Sequence, residues 1–197
     1  MERLIVARHG ESEFSVQELV NGDIAVACSL TPAGISEAER LRDQLAGERI
    51  DLCVTSRFER VRQTADVALG GRDVERLVLA EFDDPDYGAF EGGRLEAYRT
   101  WASSTPSSVA APGGGESRFA IVARYARGFR TLLEHDEAAI LLVTHSLPIA
   151  YALAAREGIV PEPRVRLVDY AKPYLFDRSE LATVVEVLES WCAAPTW

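Results

Sequence analysis

The chain has 197 residues, and its 31 acidic and 21 basic side chains give a formal net charge of −10 at pH 7. This length predicts one domain, residues 1–197, with a sizeable core. The negative charge argues against a protein that binds nucleic acid or an anionic membrane, but a local arginine cluster can still bind a small anion. Three scattered cysteines, no signal peptide and no bilayer-length apolar run favour a cytoplasmic location.

Short apolar runs alternate with amphipathic segments along the chain. The runs predict strands over residues 3–7, 50–55, 74–79 and 139–144, with strand pieces near a sheet edge over 165–168 and 173–176. The amphipathic segments predict helices over residues 31–47, 58–69, 95–102, 117–133, 146–156 and 179–191. The alternation predicts an α/β three-layer α/β/α sandwich, with a mostly parallel central sheet and helices on both faces.

Caps and loops are also predicted. Ser56, Ser117 and Ser179 have the side chains that cap helix N-termini. Residues 13–29 are irregular, and Asn21-Gly22-Asp23 marks a turn. Residues 103–116 are rich in Ser, Pro, Ala and Gly, which predicts a mobile loop at the rim of a site.

The first strand ends in Arg8-His9-Gly10. Ligands of open α/β sheets bind outside the carboxyl ends of the strands, so Arg8 and His9 should face a substrate. A neutral imidazole is a competent nucleophile, and a guanidinium binds two phosphate oxygens at once. Gly10 lacks a Cβ, which permits a sharp turn and a close approach to a ligand.

Two further stretches follow buried strands and open helices. Arg57 and Arg60 lie one turn apart after the second strand, where the free amides and dipole of a helix N-terminus suit an anion. His145 leaves the fourth strand in the same way. The alternatives are a solvated arginine face and a satisfied core histidine.

These motifs resemble the signatures of the histidine phosphatase superfamily, the phosphoglycerate-mutase-like proteins of branch 1. The matching residues are Arg8-His9-Gly10-Glu11-Ser12, then Ser56, Arg60 and Gln63-Thr64-Ala65, and finally Thr144-His145. The resemblance implies that His9 is the catalytic nucleophile and that Arg8, Arg60 and His145 hold the phosphate.

A leaving alkoxide needs a proton, so a carboxylic acid should lie near the ester oxygen. In the family, a Glu precedes a Gly, aromatic, Glu, Gly pattern. Counting back from Gly88-Ala89-Phe90-Glu91-Gly92 places Asp84 at the donor position, with a shorter acid than the usual Glu. Counting forward from the third strand favours Glu81. The sequence therefore gives Asp84 as the first candidate and Glu81 as the second.

Two other positions depart from the family pattern. Ser15 stands where the family often has an Asn that helps to hold phosphate, and a hydroxyl offers fewer hydrogen bonds. Ser146 replaces the glycine that usually follows the second histidine. Such a hydroxyl either tightens the turn or enters the pocket.

The resemblance implies a metal-independent phosphatase that needs no cofactor and hydrolyses a small phosphomonoester through a phosphohistidine. A mutase-type phosphotransferase is the near alternative, but mutases have a long insertion between the acid and the second histidine, and this chain is short there. A catalytically silent binder of phosphate ligands with the same fold is the alternative from another class. The oligomeric state is not readable.

Overall fold

The computed structural model describes all residues, 1–197, and its centre is a five-stranded sheet. The strands are β1 (Arg3–Arg8), β2 (Leu52–Thr55), β3 (Glu75–Val78), β4 (Ala139–Thr144) and β5 (Pro173–Asp177). Their order is β3-β2-β4-β1-β5, and only β5 is antiparallel to its neighbour. Four predicted strands are confirmed, and the piece predicted near residue 173 is an edge strand whose first residue is proline.

The chain has seven α-helices, and five of them cover the two faces of this sheet. The seven are α1 (Glu13–Val16), α2 (Pro32–Gln44), α3 (Glu59–Leu69), α4 (Leu95–Ser103), α5 (Arg118–Glu134), α6 (Ser146–Arg156) and α7 (Arg178–Ala193). Helices α2 and α3 pack together, as do α5, α6 and α7. The predicted helices are confirmed, with ends that shift by a few residues.

Alternation of side chains along the central strands divides the core. In β1, Leu4 and Val6 point to the cluster formed with α5, α6 and α7, whereas Ile5 and Ala7 point to the cluster formed with α2 and α3. Strand β4 divides in the same way, because both faces of a parallel sheet are buried under helices. The predicted three-layer α/β/α sandwich is confirmed.

Cys53 is one of the buried side chains of the α2/α3 layer, and burial raises the pKa of its thiol to about 11. An apolar environment disfavours the thiolate, so Cys53 is an unreactive core residue. No helix of this chain has both the length and the apolar composition that a membrane crossing needs.

Four local predictions are wrong. Residues 13–16 form a helical turn, and residues 165–168 form no strand. Ser56 does not cap α3, which begins after Phe58, because the Ser56 hydroxyl lies 3.0 Å from Nε2 of His145. Asp177 caps α7 in place of Ser179, since its carboxylate accepts from the Glu180 amide at 2.8 Å.

The segment over residues 103–116 differs from the expected rim loop. It packs against residues 86–89, where the Ala89 amide donates to the Pro112 carbonyl and the Glu116 amide donates to the Asp86 carbonyl. Ser107 and Ala111 are buried. None of its residues lines the cavity at the strand ends, so the segment braces residues 79–92, the acidic loop, from outside.

Gly10 makes a close backbone approach, but its neighbour is a helix. A Cβ on Gly10 would lie 2.4 Å from the Gly34 carbonyl oxygen, and one on Gly34 would lie 2.0 Å from the Glu11 carbonyl oxygen. The two glycines let the turn after β1 press against the first turn of α2. This contact fixes where His9 leaves the sheet.

We predict that Gly34→Ala destabilises the fold by about 2 kcal/mol, as overpacking does. Alanine favours a helix over glycine by at most about 1 kcal/mol. The free-energy cost of the forced backbone shift should therefore exceed the gain in helix propensity. The matched control is Gly47→Ala, where a Cβ meets nothing within 4 Å. Urea denaturation measures both, and equal stability of the two variants would contradict the prediction.

Candidate active site

A cavity of about 380 Å³ opens where β1, β2 and β4 end. Arg8 and His9 come from the end of β1, Arg60 from the first turn of α3 after β2, and His145 from the residue after β4. Parallel strands bring these ends to one edge of the sheet. The four residues are far apart in sequence, yet all of them line this cavity and all are buried.

His9 is held in one tautomer. Its Nδ1 lies 2.7 Å from the Gly10 carbonyl oxygen, which can only accept, so Nδ1 carries the proton. Nε2 therefore keeps a lone pair, and Nε of Arg60 points to it at 3.4 Å. Burial, and then the charges of Arg60 and Arg8, lower the pKa of His9 well below its usual value. The imidazole is thus neutral and nucleophilic at neutral pH.

Arg60 is the most connected side chain of the site. Nη1 donates to the Asn21 side-chain oxygen at 2.6 Å, while Nη2 donates to the Asn21 carbonyl at 3.0 Å and to Asp84 at 2.7 Å. The ring of Phe58 lies under the guanidinium, 4.5 Å from Cζ to the centroid. These contacts fix the planar fork that a phosphate needs for bidentate binding.

Arg8 is held by the segment that precedes β5. Its Nη1 donates to the Val168 carbonyl at 2.8 Å, and its Cζ lies 3.8 Å from the centroid of the Tyr170 ring. The Nε of Arg8 is buried and has no protein partner. An orphaned guanidinium donor in a cavity is available to a bound anion.

His145 contacts both a hydroxyl and a carboxylate. Its Nε2 lies 3.0 Å from the Ser56 hydroxyl, and its Nδ1 lies 3.3 Å from Asp84 Oδ2. Because a carboxylate can only accept, Nδ1 carries the proton and Nε2 accepts from Ser56. Burial lowers the pKa of His145, and the charge of Asp84 opposes that effect. Its ring centroid lies 5.3 Å from that of His9.

Asp84 supplies the one negative charge beside these groups. Burial alone would raise the pKa of this carboxyl, but His145, Arg60 and His9 outweigh burial and hold the pKa well below its usual value. Asp84 is therefore ionised. Its carboxylate occupies the position against Arg60 and His145 where a phosphate oxygen would be stabilised.

The other sequence-predicted residues are placed differently. Glu81 does not line the cavity, and its neighbourhood is a separate cleft beside Arg124. Ser15 lines the cavity, but its hydroxyl accepts from the Ser12 amide at 2.7 Å and donates to the Ser12 carbonyl at 2.8 Å. Arg57 pairs with Asp83 outside the cavity.

Known proteins support a family assignment. The sequence model of the histidine phosphatase superfamily (branch 1) matches residues 4–186. An adenosylcobalamin/alpha-ribazole phosphatase of Salmonella typhimurium is 30% identical over 167 residues, which are 81% of each chain. The chain belongs to the histidine phosphatase superfamily.

Two further comparisons bear on fold and relatives. The crystal structure of the alpha-ribazole phosphatase from Shigella flexneri superposes with a TM-score of 0.70 at 24% identity, over 89% of this chain and 95% of that one. A 2,3-bisphosphoglycerate-dependent phosphoglycerate mutase of Methylobacterium is 35% identical over 136 residues, 63% of this chain and 64% of the mutase. The first of these confirms the fold.

Sequence reasoning missed three residues of this histidine phosphatase site. The sequence patterns give Asn21 as part of a turn, give Ser56 as a helix cap and a member of the second motif without a role in the site, and give nothing for Tyr170. Each contacts an arginine or histidine that the motifs did reveal. The Asn-Gly-Asp pattern indicates only a turn at Asn21, the motif match does not give the contact of Ser56, and no local pattern marks Tyr170.

Asn21→Ala should weaken the binding of inorganic phosphate about tenfold, because Arg60 loses a charge-assisted bond worth about 1.5 kcal/mol. Isothermal titration with phosphate measures the change. Ser36→Ala is a suitable control, because that exposed hydroxyl only donates to the Pro32 carbonyl of its own helix. An unchanged dissociation constant in Asn21→Ala would show that Arg60 is oriented by its other contacts.

The lowered pKa of His9 also predicts a pH dependence of stability. Between pH 7.5 and 5.5 the unfolded histidine, with a pKa of about 6.5, gains a proton that the folded one does not, so stability falls as pH falls. At pH 5.5 this amounts to about 1.4 kcal/mol for His9. Urea unfolding of the wild type and of His9→Asn at both pH values measures it, and an identical pH dependence in the two proteins would refute it.

Proposed function

We propose that this protein is a metal-independent phosphatase that hydrolyses a small phosphomonoester through a phosphohistidine on His9. The observation that carries the proposal is the geometry around Nε2 of His9. Its lone pair faces a cavity that is lined by two buried arginines and a second histidine. That arrangement combines a nucleophile with donors for the equatorial oxygens of a phosphoryl group.

Phosphate binding would rearrange the charges of the site. A phosphate dianion placed against Arg60 and His145 displaces the Asp84 carboxylate from the same donors. Asp84 then loses its stabilising partners and faces a new negative charge, and both changes raise its pKa. The substrate itself would thus convert Asp84 from a counter-ion into a proton donor.

The first half-reaction transfers the phosphoryl group to the enzyme. Nε2 of His9 attacks phosphorus in line, the bond from phosphorus to the ester oxygen breaks, and Asp84 gives its proton to the leaving oxygen. Arg8, Arg60 and His145 stabilise the charge on the equatorial oxygens. The Gly10 carbonyl keeps Nδ1 protonated, so the attacking nitrogen is always Nε2.

The second half-reaction releases phosphate. The Asp84 carboxylate takes a proton from a water molecule, the resulting hydroxide oxygen attacks phosphorus, and the bond from phosphorus to Nε2 breaks. Inorganic phosphate leaves and His9 is again neutral. Asp84 releases its proton to solvent when its carboxylate pairs again with Arg60 and His145, and it takes up a proton from solvent when the next substrate displaces it. No step needs a cofactor or a metal ion, because arginine and histidine supply the positive field.

Hydrolysis is favoured over mutase chemistry. The chain from Asp84 to His145 is short, and residues 103–116 are packed against the acidic loop rather than over the cavity. Water can then reach the phosphoenzyme, since no inserted segment closes the mouth. A cavity of about 380 Å³ suits a small phosphomonoester rather than a folded phosphoprotein.

We expect the wild type to hydrolyse p-nitrophenyl phosphate and glycerol 3-phosphate in the presence of EDTA, and His9→Ala to lose both activities. Asp84→Asn should slow the alkyl ester by about 10³-fold and the aryl ester far less, because nitrophenolate leaves without a proton. Glu81→Gln is the matched carboxylate control outside the cavity and should keep both rates.

Acid-quenched single turnovers with ³²P-labelled substrate test the intermediate directly. The label should appear on the wild type as an acid-labile, base-stable phosphohistidine and be absent from His9→Ala. Turnover that survives His9→Ala contradicts the mechanism. Phosphate binding without any turnover in the wild type would instead show that the protein is a catalytically silent binder. Transfer of the phosphoryl group from a phosphorylated enzyme to an alcohol rather than to water would show that it is a mutase.

A further inference from the structure

We propose that the cavity has a second anion subsite, formed by Arg118 and Tyr98, that binds an anionic oxygen group on the leaving alcohol of the substrate. The subsite selects phosphomonoesters that carry a carboxylate or a second phosphate. This inference rests on the proposed phosphatase function, because it names the class of ester that the same cavity takes.

Besides Nε of Arg8, two buried polar atoms of residues that line this cavity have no protein partner. They are Nε of Arg118 and the hydroxyl of Tyr98, and both residues line the cavity. Only 5% of Arg118 and 2% of Tyr98 is exposed. Buried polar groups in folded proteins are almost always paired, so orphaned donors beside a cavity indicate a ligand that pairs with them.

The charge of Arg118 is also uncompensated. Its guanidinium forms no salt bridge, and its one hydrogen bond to protein goes from Nη1 to the Tyr151 hydroxyl at 3.2 Å. The proton of that hydroxyl is directed to the Glu162 carbonyl, which leaves an oxygen lone pair for Arg118. A buried cation without a counter-charge is costly, and an anion that enters the cavity removes that cost.

Two other arginines of the cavity differ in this respect. Arg60 pairs with Asp84, and Arg164 at the mouth holds both carboxylate oxygens of Glu96, at 2.7 and 2.9 Å. Arg164 is also half exposed, so water already compensates its charge. Arg8 is buried without an acidic partner too, but it directly precedes His9 and belongs to the proposed phosphate position. Away from that position, Arg118 alone combines deep burial with the lack of an acidic partner.

The position of the pair identifies which part of the substrate it meets. The ring centroids of Tyr98 and Tyr87 are 4.6 Å apart, and Tyr87 belongs to the loop that carries Asp84. Cζ of Arg118 lies 5.2 Å from the centroid of the Tyr98 ring. Arg118 and Tyr98 therefore lie on the side of the cavity that carries the Asp84 loop, where Asp84 would protonate the leaving oxygen.

Matched esters test the subsite. Glycerate 3-phosphate and glycerol 3-phosphate differ by a carboxylate against a hydroxymethyl group, and propane-1,3-diol bisphosphate carries a second phosphate. Glycerate 3-phosphate and the bisphosphate carry a further anionic group on the leaving alcohol, and glycerol 3-phosphate does not. We expect the wild type to prefer one of the two over glycerol 3-phosphate by about 100-fold in kcat/KM, the range of a charge-assisted hydrogen-bond pair. Which ester is preferred distinguishes carboxylate from phosphate.

Arg118→Gln should reduce that preference to less than about fivefold, mainly through a higher KM for the charged ester. Tyr98→Phe removes only an unpartnered hydroxyl, so it keeps the packing, and it should reduce the preference about tenfold. Arg164→Gln is the matched control and should keep the preference of the wild type. If Arg118→Gln fails to fold, the substrate preference of Tyr98→Phe still tests the subsite.

Calorimetric titration with the same three esters separates this inference from the proposed function. If no ester is hydrolysed but the charged ones still bind more tightly, the phosphatase proposal fails and the subsite stands. A wild type that binds and hydrolyses glycerol 3-phosphate as well as both charged esters overturns the subsite. Folded Arg118→Gln and Tyr98→Phe variants that keep the full preference overturn it too.

Discussion

The buried guanidinium of Arg60 is the interaction on which the rest of the site depends. It joins Asn21 from the loop after α1, Asp84 from the acidic loop and the two histidines that follow β1 and β4. Only 3% of Arg60 is exposed, so an effective desolvation penalty of several kcal/mol has to be offset by these partners. The site is stable only as a unit, because each element lends Arg60 a contact that the others cannot replace.

Asp84 completes this unit in the absence of substrate. Without its carboxylate, Arg60 would have no acidic partner, and Arg8 has none of its own. The same contact that lowers the pKa of Asp84 is the one a phosphate would take over. In the proposed mechanism the displaced counter-ion becomes the acid, so a strongly lowered pKa before substrate binds is compatible with a role as proton donor. The short side chain of Asp84 keeps it within reach of Arg60.

The sequence allowed much of the fold to be predicted, since strands buried on both faces appear as apolar runs and helices appear as periodic ones. It also revealed the residues at strand ends, because His9, Arg60 and His145 each follow such a run. Pairs made by distant segments were not predictable. Ser56 shows this well, since a local pattern offered it as a helix cap, whereas its hydroxyl contacts His145 from a distant part of the chain. The capping box of Asp177 and Glu180 differs, because it is a local pattern that the choice of Ser179 as the cap overlooked.

Ser146, which departs from the family glycine, shows how such a pair can support the chemistry. Its hydroxyl accepts from the Val168 amide at 2.9 Å, and the Val168 carbonyl accepts from Arg8. The same segment places Tyr170 against the Arg8 guanidinium, and the Ala171 amide donates to the Arg8 carbonyl. The hydroxyl therefore ties the start of α6 to the segment that braces Arg8. A glycine at this position would remove one of the contacts that hold this segment, so the departure from the family pattern helps to keep the segment against Arg8.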